Sequence, residues 1–483
     1  MTRPPGRIDP ATALHPYRGP WNERLAAHLS RRAGFGATAD DARRLASVSV
    51  HAAVESFIHF ASDADLPAPE NVYDPRQTYA AAYMGGAMRR PDDMTRRQMF
   101  QEIQKSERES VLSMQHWWLN RMLNSPAPLR EKMTFYFHNH FTSAAVQKQV
   151  FPTMIYAQNE LFRQNALGNL RDLTWKISID PAMLRYLDNA QNQAAHPNEN
   201  YARELMELFT LGVGNYTEED IRQSARAWTG WTVDRRTSEA YFNARMHDDG
   251  VKKFLGQTGN FGGQDIVNII FTQPAAAKFF ATSLLNFFVY NDPEPALVDA
   301  FAAVIRKNNF NLAPVLSVLF NSNVFFSDRA YRALVKSPVE FVIGTYKAFG
   351  MKEADPSAQR ALAQMGQILF YPPNVAGWPG GSNWLTSQMM IARQNFVAGL
   401  VNSPMMADVS WLQNVPVKAA SAAQTLVRTI LYGDASPKGM LQLADYLNGI
   451  NTSALGMLSG ENYDERVRGA AYLTMAMPAY QLN

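Results

Sequence analysis

Apolar residues recur at spacings of three and four along most of the chain, and this spacing predicts helices. Residues 231–256 differ, because β-branched and aromatic residues there flank turn-forming polar ones, which is typical of a small antiparallel hairpin. The pattern therefore predicts a mainly α fold, a single large helical body with a small antiparallel β-hairpin insertion around 231–256. Examples of the predicted helices are 97–124, 127–141, 198–211, 274–290, 295–320 and 385–402.

Neither a fixed-period repeat nor a clear interdomain linker interrupts the chain of 483 residues. We expect a main helical domain over 1–402 and a C-terminal helical subdomain over 403–483 that packs on it. Residues 62–94 are rich in proline, glycine and charged side chains, and we expect them to form an insertion or a lid.

Charge and cysteine content exclude several classes of protein. The 46 Lys and Arg exceed the 43 Asp and Glu by only three, without a basic block, so nothing indicates nucleic-acid binding. The absence of cysteine excludes disulfides, thiolate metal sites and cysteine nucleophiles. It also suits an oxidising compartment. Neither a secretory signal peptide nor an apolar window of about 20 residues is visible, so we expect no transmembrane segment.

The segment "HPNENYARELMELFTLG", residues 196–212, combines a helical apolar pattern with several charges. At 100° per residue, Asn200, Arg203, Glu204 and Glu207 form one narrow stripe of the predicted helix. One interpretation is a solvated stripe in which Arg203 pairs with Glu207. The other is functional: Glu204 and Glu207 converge on a cation or share a proton, while Arg203 holds an anionic group of a substrate.

Two histidines, His138 and His140, lie in "FYFHNHF" near the end of a predicted helix. In an extended segment the two would point the same way, as in many metal sites, whereas in a helix they diverge. Buried, hydrogen-bonded imidazoles are the alternative. In "MHDDGVKKFLG", His247 and Asp248 follow a predicted strand, where they suit either a catalytic or ligating role or a simple turn.

The glycine-rich loop "GWPGGSNW" brings Trp378 and Trp384 together. Tryptophan rings can stack on sugars or can be buried in a core, and the residues alone are compatible with both interpretations. The chain contains neither a G-x-S-x-G nucleophile elbow nor an H-E-x-x-H metalloprotease helix.

Six motifs in order along the chain make the protein resemble the bacterial domain-of-unknown-function 1800 family over essentially its whole length. They are "HLSRRAGFGAT", "PLREKMTFYFHNHF", "MLRYLDNAQNQ", "NENYARELMELFTLGVGNYTEEDIRQSARAWTGW", "HDDGVKKFLG" and "FYPPNVAGWPGGSNW". The resemblance implies a periplasmic or secreted location and a partner protein similar to the sulfatase and alkaline-phosphatase superfamily. The characteristic polar positions that it implies are His138, His140, Asp188, Asn189, Asn200, Arg203, Glu204, Glu207, His247 and Asp248.

These positions lead to a hypothesis of a hydrolase that acts on a polymeric or glycan-type substrate. Its catalytic groups would be Glu204, Glu207, Asp188 and Asp248, and a divalent metal ion would be bound by His138, His140 and His247. The substrate would contact Asn189, Asn200, Arg203, Trp378 and Trp384. One alternative is a metal-free glycoside hydrolase that uses paired carboxylates. Another is a non-catalytic binding or assembly partner of the sulfatase-like protein.

Overall fold

A computed structural model describes residues 9–60, 67–70, 72, 74, 93–234, 237–449 and 463–483. It confirms the predicted fold class, since helices dominate and the described strands form only two small antiparallel sheets. Most of the predicted insertion or lid at 62–94 lies outside the described residues.

The helices begin and end close to capping residues and prolines, as their sequences predict. The α-helices are α1 (Pro10–Ala13), α2 (Glu23–Arg32), α3 (Ala39–Ala46), α4 (Val50–Ile58), α5 (Asp93–Asn124), α6 (Pro128–His140), α7 (Pro152–Gln164), α8 (Leu170–Ser178), α9 (Pro181–Tyr186), α10 (Asn200–Glu204), α11 (Glu218–Ala227), α12 (Gly263–Thr272), α13 (Pro274–Phe288), α14 (Pro295–Lys307), α15 (Leu312–Phe320), α16 (Pro338–Phe349), α17 (Ser357–Gln364), α18 (Ser387–Val401), α19 (Ser410–Gln413), α20 (Ala419–Leu431), α21 (Pro437–Leu447) and α22 (Tyr463–Ala476).

The predicted β insertion contains two hairpins. Strand β1 (Trp231–Val233) pairs antiparallel with β2 (Ala240–Phe242), and β3 (Lys252–Phe254) pairs antiparallel with β4 (Gln257–Gly259). The second hairpin continues three residues beyond the predicted end of the insertion. Each sheet is too small to be stable alone, so both depend on the helices against which they pack.

The helix predicted over 295–320 is interrupted. Helix α14 ends at Lys307, and Asn309 and Phe310 have φ angles of 48° and 60° before α15 starts at Leu312. Two successive residues in the left-handed region cannot belong to a right-handed helix. The apolar spacing continues across the break, which is why the pattern alone did not reveal it.

Helix α6 is largely buried in the core. Most of its side chains are buried, including the polar Glu131, Lys132, Thr134 and His138. Each of these four has a hydrogen-bond partner, which is what burial of polar groups requires. The helix also positions its last residues, Asn139 and His140, against neighbouring segments.

The C-terminal helices contact the N-terminal ones directly. Arg24 lies 2.9 Å from the carboxylate of Asp434, Arg428 lies 3.0 Å from that of Glu23, and Tyr432 donates to the Ala37 carbonyl at 2.7 Å. The described part of the chain contains no helix long and apolar enough to cross a membrane.

Candidate functional site

The helix predicted over 198–211 changes its winding midway. It is α-helical over Asn200–Glu204 and a π-helix over Leu205–Thr210, where the amide of Leu211 donates to the Met206 carbonyl. Such single π turns are often found at functional sites. The extra residue in the turn rotates the side chains that follow, so the ideal 100° stripe drawn from the sequence ends at Glu204.

The polar residues of this helix have partners of their own. Arg203 donates to both carboxylate oxygens of Glu218 at 2.9 Å and lies 3.3 Å from Glu199, not against Glu207 as one interpretation proposed. Glu207 accepts from the Tyr216 hydroxyl at 3.2 Å. Partial burial and the carboxylate of Glu207 raise the pKa of Glu204, against the opposing guanidinium of Arg203.

Replacing Arg203 by glutamine is expected to leave the urea midpoint of unfolding nearly unchanged, because exposed ion pairs contribute little net stability. The Arg203 side chain is 36% exposed and that of Glu218 is 64% exposed. Arg226→Gln is the matched comparison, because Arg226 donates two hydrogen bonds to Asp248, which is less exposed than Glu218. The urea midpoint of the Arg226→Gln variant should fall further than that of Arg203→Gln. A larger loss from Arg203→Gln than from Arg226→Gln would contradict this prediction.

His138 is buried among aromatic rings. Its Nε2 accepts the backbone N–H of Phe370 at 3.2 Å, and its ring lies 5.4–5.5 Å from those of Trp118, Phe370 and Trp378. Burial lowers the pKa of His138 to about 3, so its imidazole is neutral near neutral pH. His138 therefore joins α6 to the segment that begins at Phe370.

His140 faces a different part of the protein. Its Nε2 donates to the Phe209 carbonyl at 2.9 Å, and its ring stacks on Tyr136 with the centroids 5.6 Å apart. Burial lowers the pKa of His140 to about 4. Because α6 continues through His140, the two imidazoles diverge, as the helical alternative predicted.

His247 and Asp248 hold the second hairpin against α11. The Nδ1 of His247 lies 2.8 Å from the Thr229 carbonyl, and Asp248 accepts from the guanidinium of Arg226 at 2.7 and 3.1 Å. That guanidinium lowers the pKa of Asp248, against the smaller effect of partial burial. Both residues thus connect local segments of the chain.

The remaining polar positions make further local contacts. Asp188 lies 2.7 Å from the ammonium of Lys148, Asn189 accepts from Asn192 at 3.0 Å, and Asn200 donates to the Leu187 carbonyl at 3.2 Å. The Nδ2 of Asn189 is buried, and none of the described residues accepts a hydrogen bond from it. The Asn200 contact connects the end of α9 to the start of α10, and the Asp188 contact reaches the segment between α6 and α7.

The structure does not bring the predicted metal ligands together. Within the described ranges, no group of three or more His, Asp or Glu side chains is arranged to hold a metal ion. Metal binding by His138, His140 and His247 therefore stays a prediction from the sequence.

A cavity of about 380 Å³ lies between α6, α13, the start of α16 and the loop at 375–384. Of the predicted site residues, His140, Trp378 and Trp384 line it. A second cavity of about 420 Å³ shares Phe279, Ser283 and Asn286 with the first. We call the two adjoining cavities the groove. Its other lining residues include Phe135, Tyr136, Asn139, Leu208, Phe287, Asn291, Ser337, Glu340, Gln367, Ala376, Leu211, Asn215, Lys278 and Thr282.

The two tryptophans form part of the wall of the groove. They are only 5% and 3% exposed, and Trp378 stacks on Phe135 with the centroids 6.4 Å apart. The half-buried rings of Phe279 and Phe287 line the same space. Trp378 and Trp384 are therefore buried and border the groove, while their stacking on a sugar stays a prediction.

Glu340 is the one acidic residue among the described residues that line the groove. It accepts hydrogen bonds from the ammonium of Lys132 and, at 2.8 Å, from the backbone N–H of Ser337. Burial alone would raise the pKa of Glu340, but the buried ammonium of Lys132 and the Ser337 contacts reverse this and hold the pKa below its usual value. Glu340 is therefore an anion whose charge is balanced locally.

Sequence reasoning missed the amides of the groove and Glu340. Asn139 stands between the two histidines of "FYFHNHF", so its position was available, but an asparagine on a helix carries no functional signal. "SPVE" at 337–340 does show the spacing of a capping box, which the structure contains. That signal marks a helix start and does not indicate a groove.

The comparisons with known proteins identify a family but no individual relative. Neither the curated proteins nor the solved structures gave a significant match. One family model, described as "Protein of unknown function (DUF1800)", matches residues 28–482. The chain therefore belongs to the DUF1800 family, as its six motifs predicted.

Proposed function

We propose that the groove binds an extended, uncharged, oxygen-rich ligand of the glycan type and that the protein is a binding protein. The observation that carries this proposal is the lining: aromatic rings and amide side chains surround one carboxylate, Glu340, and one ammonium, Lys278, and each of these is paired with a group of opposite charge. Aromatic rings contact the apolar faces of sugars, and amides bind their oxygens.

The shape of the groove supports a ligand longer than one sugar unit. Phe279, Ser283 and Asn286 lie on one face of α13 and border both cavities, which have volumes of about 380 and 420 Å³. Each volume is within the usual range for a small-molecule site of about 300–1,000 Å³. A chain of several units therefore suits the groove better than a compact metabolite.

The distribution of acids favours binding over hydrolysis. Glycoside hydrolases generally need two carboxyl groups about 5–10 Å apart across the bond that breaks. Among the described residues, the groove has only Glu340, which is engaged by Lys132. The four carboxylates of the hydrolase hypothesis are not lining residues, and two of them, Asp188 and Asp248, form ion pairs elsewhere. In this proposal, the sulfatase-like partner implied by the family resemblance supplies the chemistry.

The proposal is tested by filling the groove. Ala376 lines it with an exposed side chain, so Ala376→Trp would occupy ligand space without disturbing the core. We expect neutral trisaccharides to quench or enhance tryptophan fluorescence of the wild type on titration. The Ala376→Trp variant should bind at least about tenfold more weakly.

Val417→Trp is the matched control, because Val417 is 81% exposed and does not line the groove. It should bind like the wild type. Absence of binding to any of a panel of neutral oligosaccharides, or equal affinity of both variants, would contradict the proposal. Release of new reducing ends during incubation would instead support the hydrolase hypothesis.

A further inference from the structure

We infer that Asn139, Asn286 and Gln367 make the groove selective for sugar units that carry acyl groups, such as N-acetylated ones. This inference rests on the proposed function and concerns the same groove. Its basis is the direction in which each amide presents its hydrogen-bond donors.

Two of these amides are oriented by backbone donors. The Oδ1 of Asn139 accepts the backbone N–H of Trp378 at 2.7 Å, and the Oδ1 of Asn286 accepts that of Asp292 at 3.0 Å. A backbone N–H only donates, so it must face the oxygen of the amide and not its NH₂ group. These hydrogen bonds thus assign the positions of the oxygen and the nitrogen in each amide.

Gln367 shows the same arrangement. Its Oε1 accepts the backbone N–H of Val339 at 3.0 Å, close to the start of α16. The residue is only 2% exposed and yet lines the groove. Its NH₂ group makes no hydrogen bond to a described residue, so a ligand oxygen at this position would satisfy it.

The NH₂ groups of all three amides remain available. None of the three NH₂ groups donates a hydrogen bond to another described residue, none of the three nitrogen atoms is fully buried, and all three residues line the groove. The Ser337 hydroxyl, by contrast, is engaged by Glu340, because it accepts the amide N–H of that residue at 3.3 Å and is hydrogen-bonded to its carboxylate. Asn139, Asn286 and Gln367 therefore present three donors with fixed directions to the groove.

A donor-lined surface discriminates among sugar substituents. A carbonyl oxygen only accepts, so fixed N–H groups suit it, whereas a hydroxyl both donates and accepts and gains less from such a surface. An ammonium group only donates and would leave the amides unpaired. The preferred order is therefore acylated sugar, then hydroxyl sugar, then amino sugar.

The first test compares three trimers with the same β-1,4 linkage by isothermal titration calorimetry on the full chain. N,N′,N″-triacetylchitotriose should bind about tenfold more tightly than cellotriose, which corresponds to one or two well-placed hydrogen bonds. Chitotriose, the deacetylated trimer, should bind most weakly. Equal affinities for the acetylated and unsubstituted trimers would overturn the inference.

The second test removes donors while keeping acceptors. Asn139→Asp and Asn286→Asp retain the oxygen that accepts the backbone N–H and the shape of the side chain, but replace the NH₂ group. Each should lower affinity for the acetylated trimer about tenfold and reduce the preference over cellotriose. Asn286 is less buried than Gln367, so a folded variant is available even if Gln367→Glu fails to fold.

Asn383→Asp is the control for the added charge. Asn383 is exposed and lies on the loop that borders the groove, but it is not one of the lining residues. It should keep the preference for the acetylated trimer. Loss of this preference in Asn383→Asp, or its retention in both other variants, would overturn the inference. Absence of binding to any glycan would instead overturn the proposed function.

Discussion

Replacing Glu131 by alanine is expected to lower the free energy of unfolding by about 3–5 kcal/mol, the usual cost of breaking a buried ion pair. Glu131 is 0% exposed. It accepts from the Nε of Arg121 at 2.8 Å, from Nε and Nη2 of Arg163 at 2.8 and 3.1 Å, and from the indole of Trp118 at 3.0 Å. Its loss leaves two guanidinium groups in the core without this carboxylate.

Urea denaturation followed by circular dichroism measures the effect. Glu160→Ala is the matched control, because Glu160 pairs with the same Arg163 but is 29% exposed. Its loss should cost much less than that of Glu131. If the two variants lose similar stability, Glu131 does not have the structural role described. Glu131→Gln keeps the shape of the side chain, and its free energy of unfolding should lie between those of the wild type and the alanine variant.

Acidification is expected to destabilise the protein between about pH 6.5 and pH 4 because of His138 and His140. Burial lowers their pKa values to about 3 and about 4, below the ordinary value of 6.5. In that pH range the unfolded chain binds protons at these imidazoles and the folded protein does not. The free energy of unfolding therefore decreases as the pH is lowered. Each imidazole contributes up to about 1.4 kcal/mol per pH unit.

Urea midpoints at several pH values test this prediction. His138→Gln retains an acceptor for the Phe370 amide and should make the dependence on pH shallower. His51→Gln controls for the loss of an imidazole, because the His51 side chain is 74% exposed. Asp180, whose pKa is raised to about 6 by burial, opposes the effect, so the measured slope is a net value. An unchanged slope in His138→Gln would contradict the prediction.

Periodicity predicted the helices because their apolar positions face a common core. The β-branched and aromatic residues of 231–256 predicted the small β insertion, and the resemblance of six motifs indicated the family. Periodicity missed the break at Asn309 and Phe310 and the π turn at Leu205–Thr210, because both depend on backbone geometry that leaves the apolar spacing intact. The spacing of apolar residues therefore predicted the helices better than the breaks and irregular turns within them.

The candidate site was harder to predict, for a physical reason. The groove is formed by segments around residues 136–140, 279–291, 334–340 and 367–384, and only the packed fold brings them together. The polar residues that stand out in the sequence, such as Arg203 and Asp248, have ion-pair partners in the structure. The amides that line the groove, by contrast, have no distinctive spacing in the sequence.

The π turn at Leu205–Thr210 also bears on how the sequence tolerates changes in length. A π turn contains one residue more than the α-helix turn it replaces. Deletion of one residue there would restore regular winding and shift Phe209, whose carbonyl receives the hydrogen bond from His140. The surplus residue therefore sets the rotational register between this helix and the end of α6, and through His140 the position of one wall of the groove.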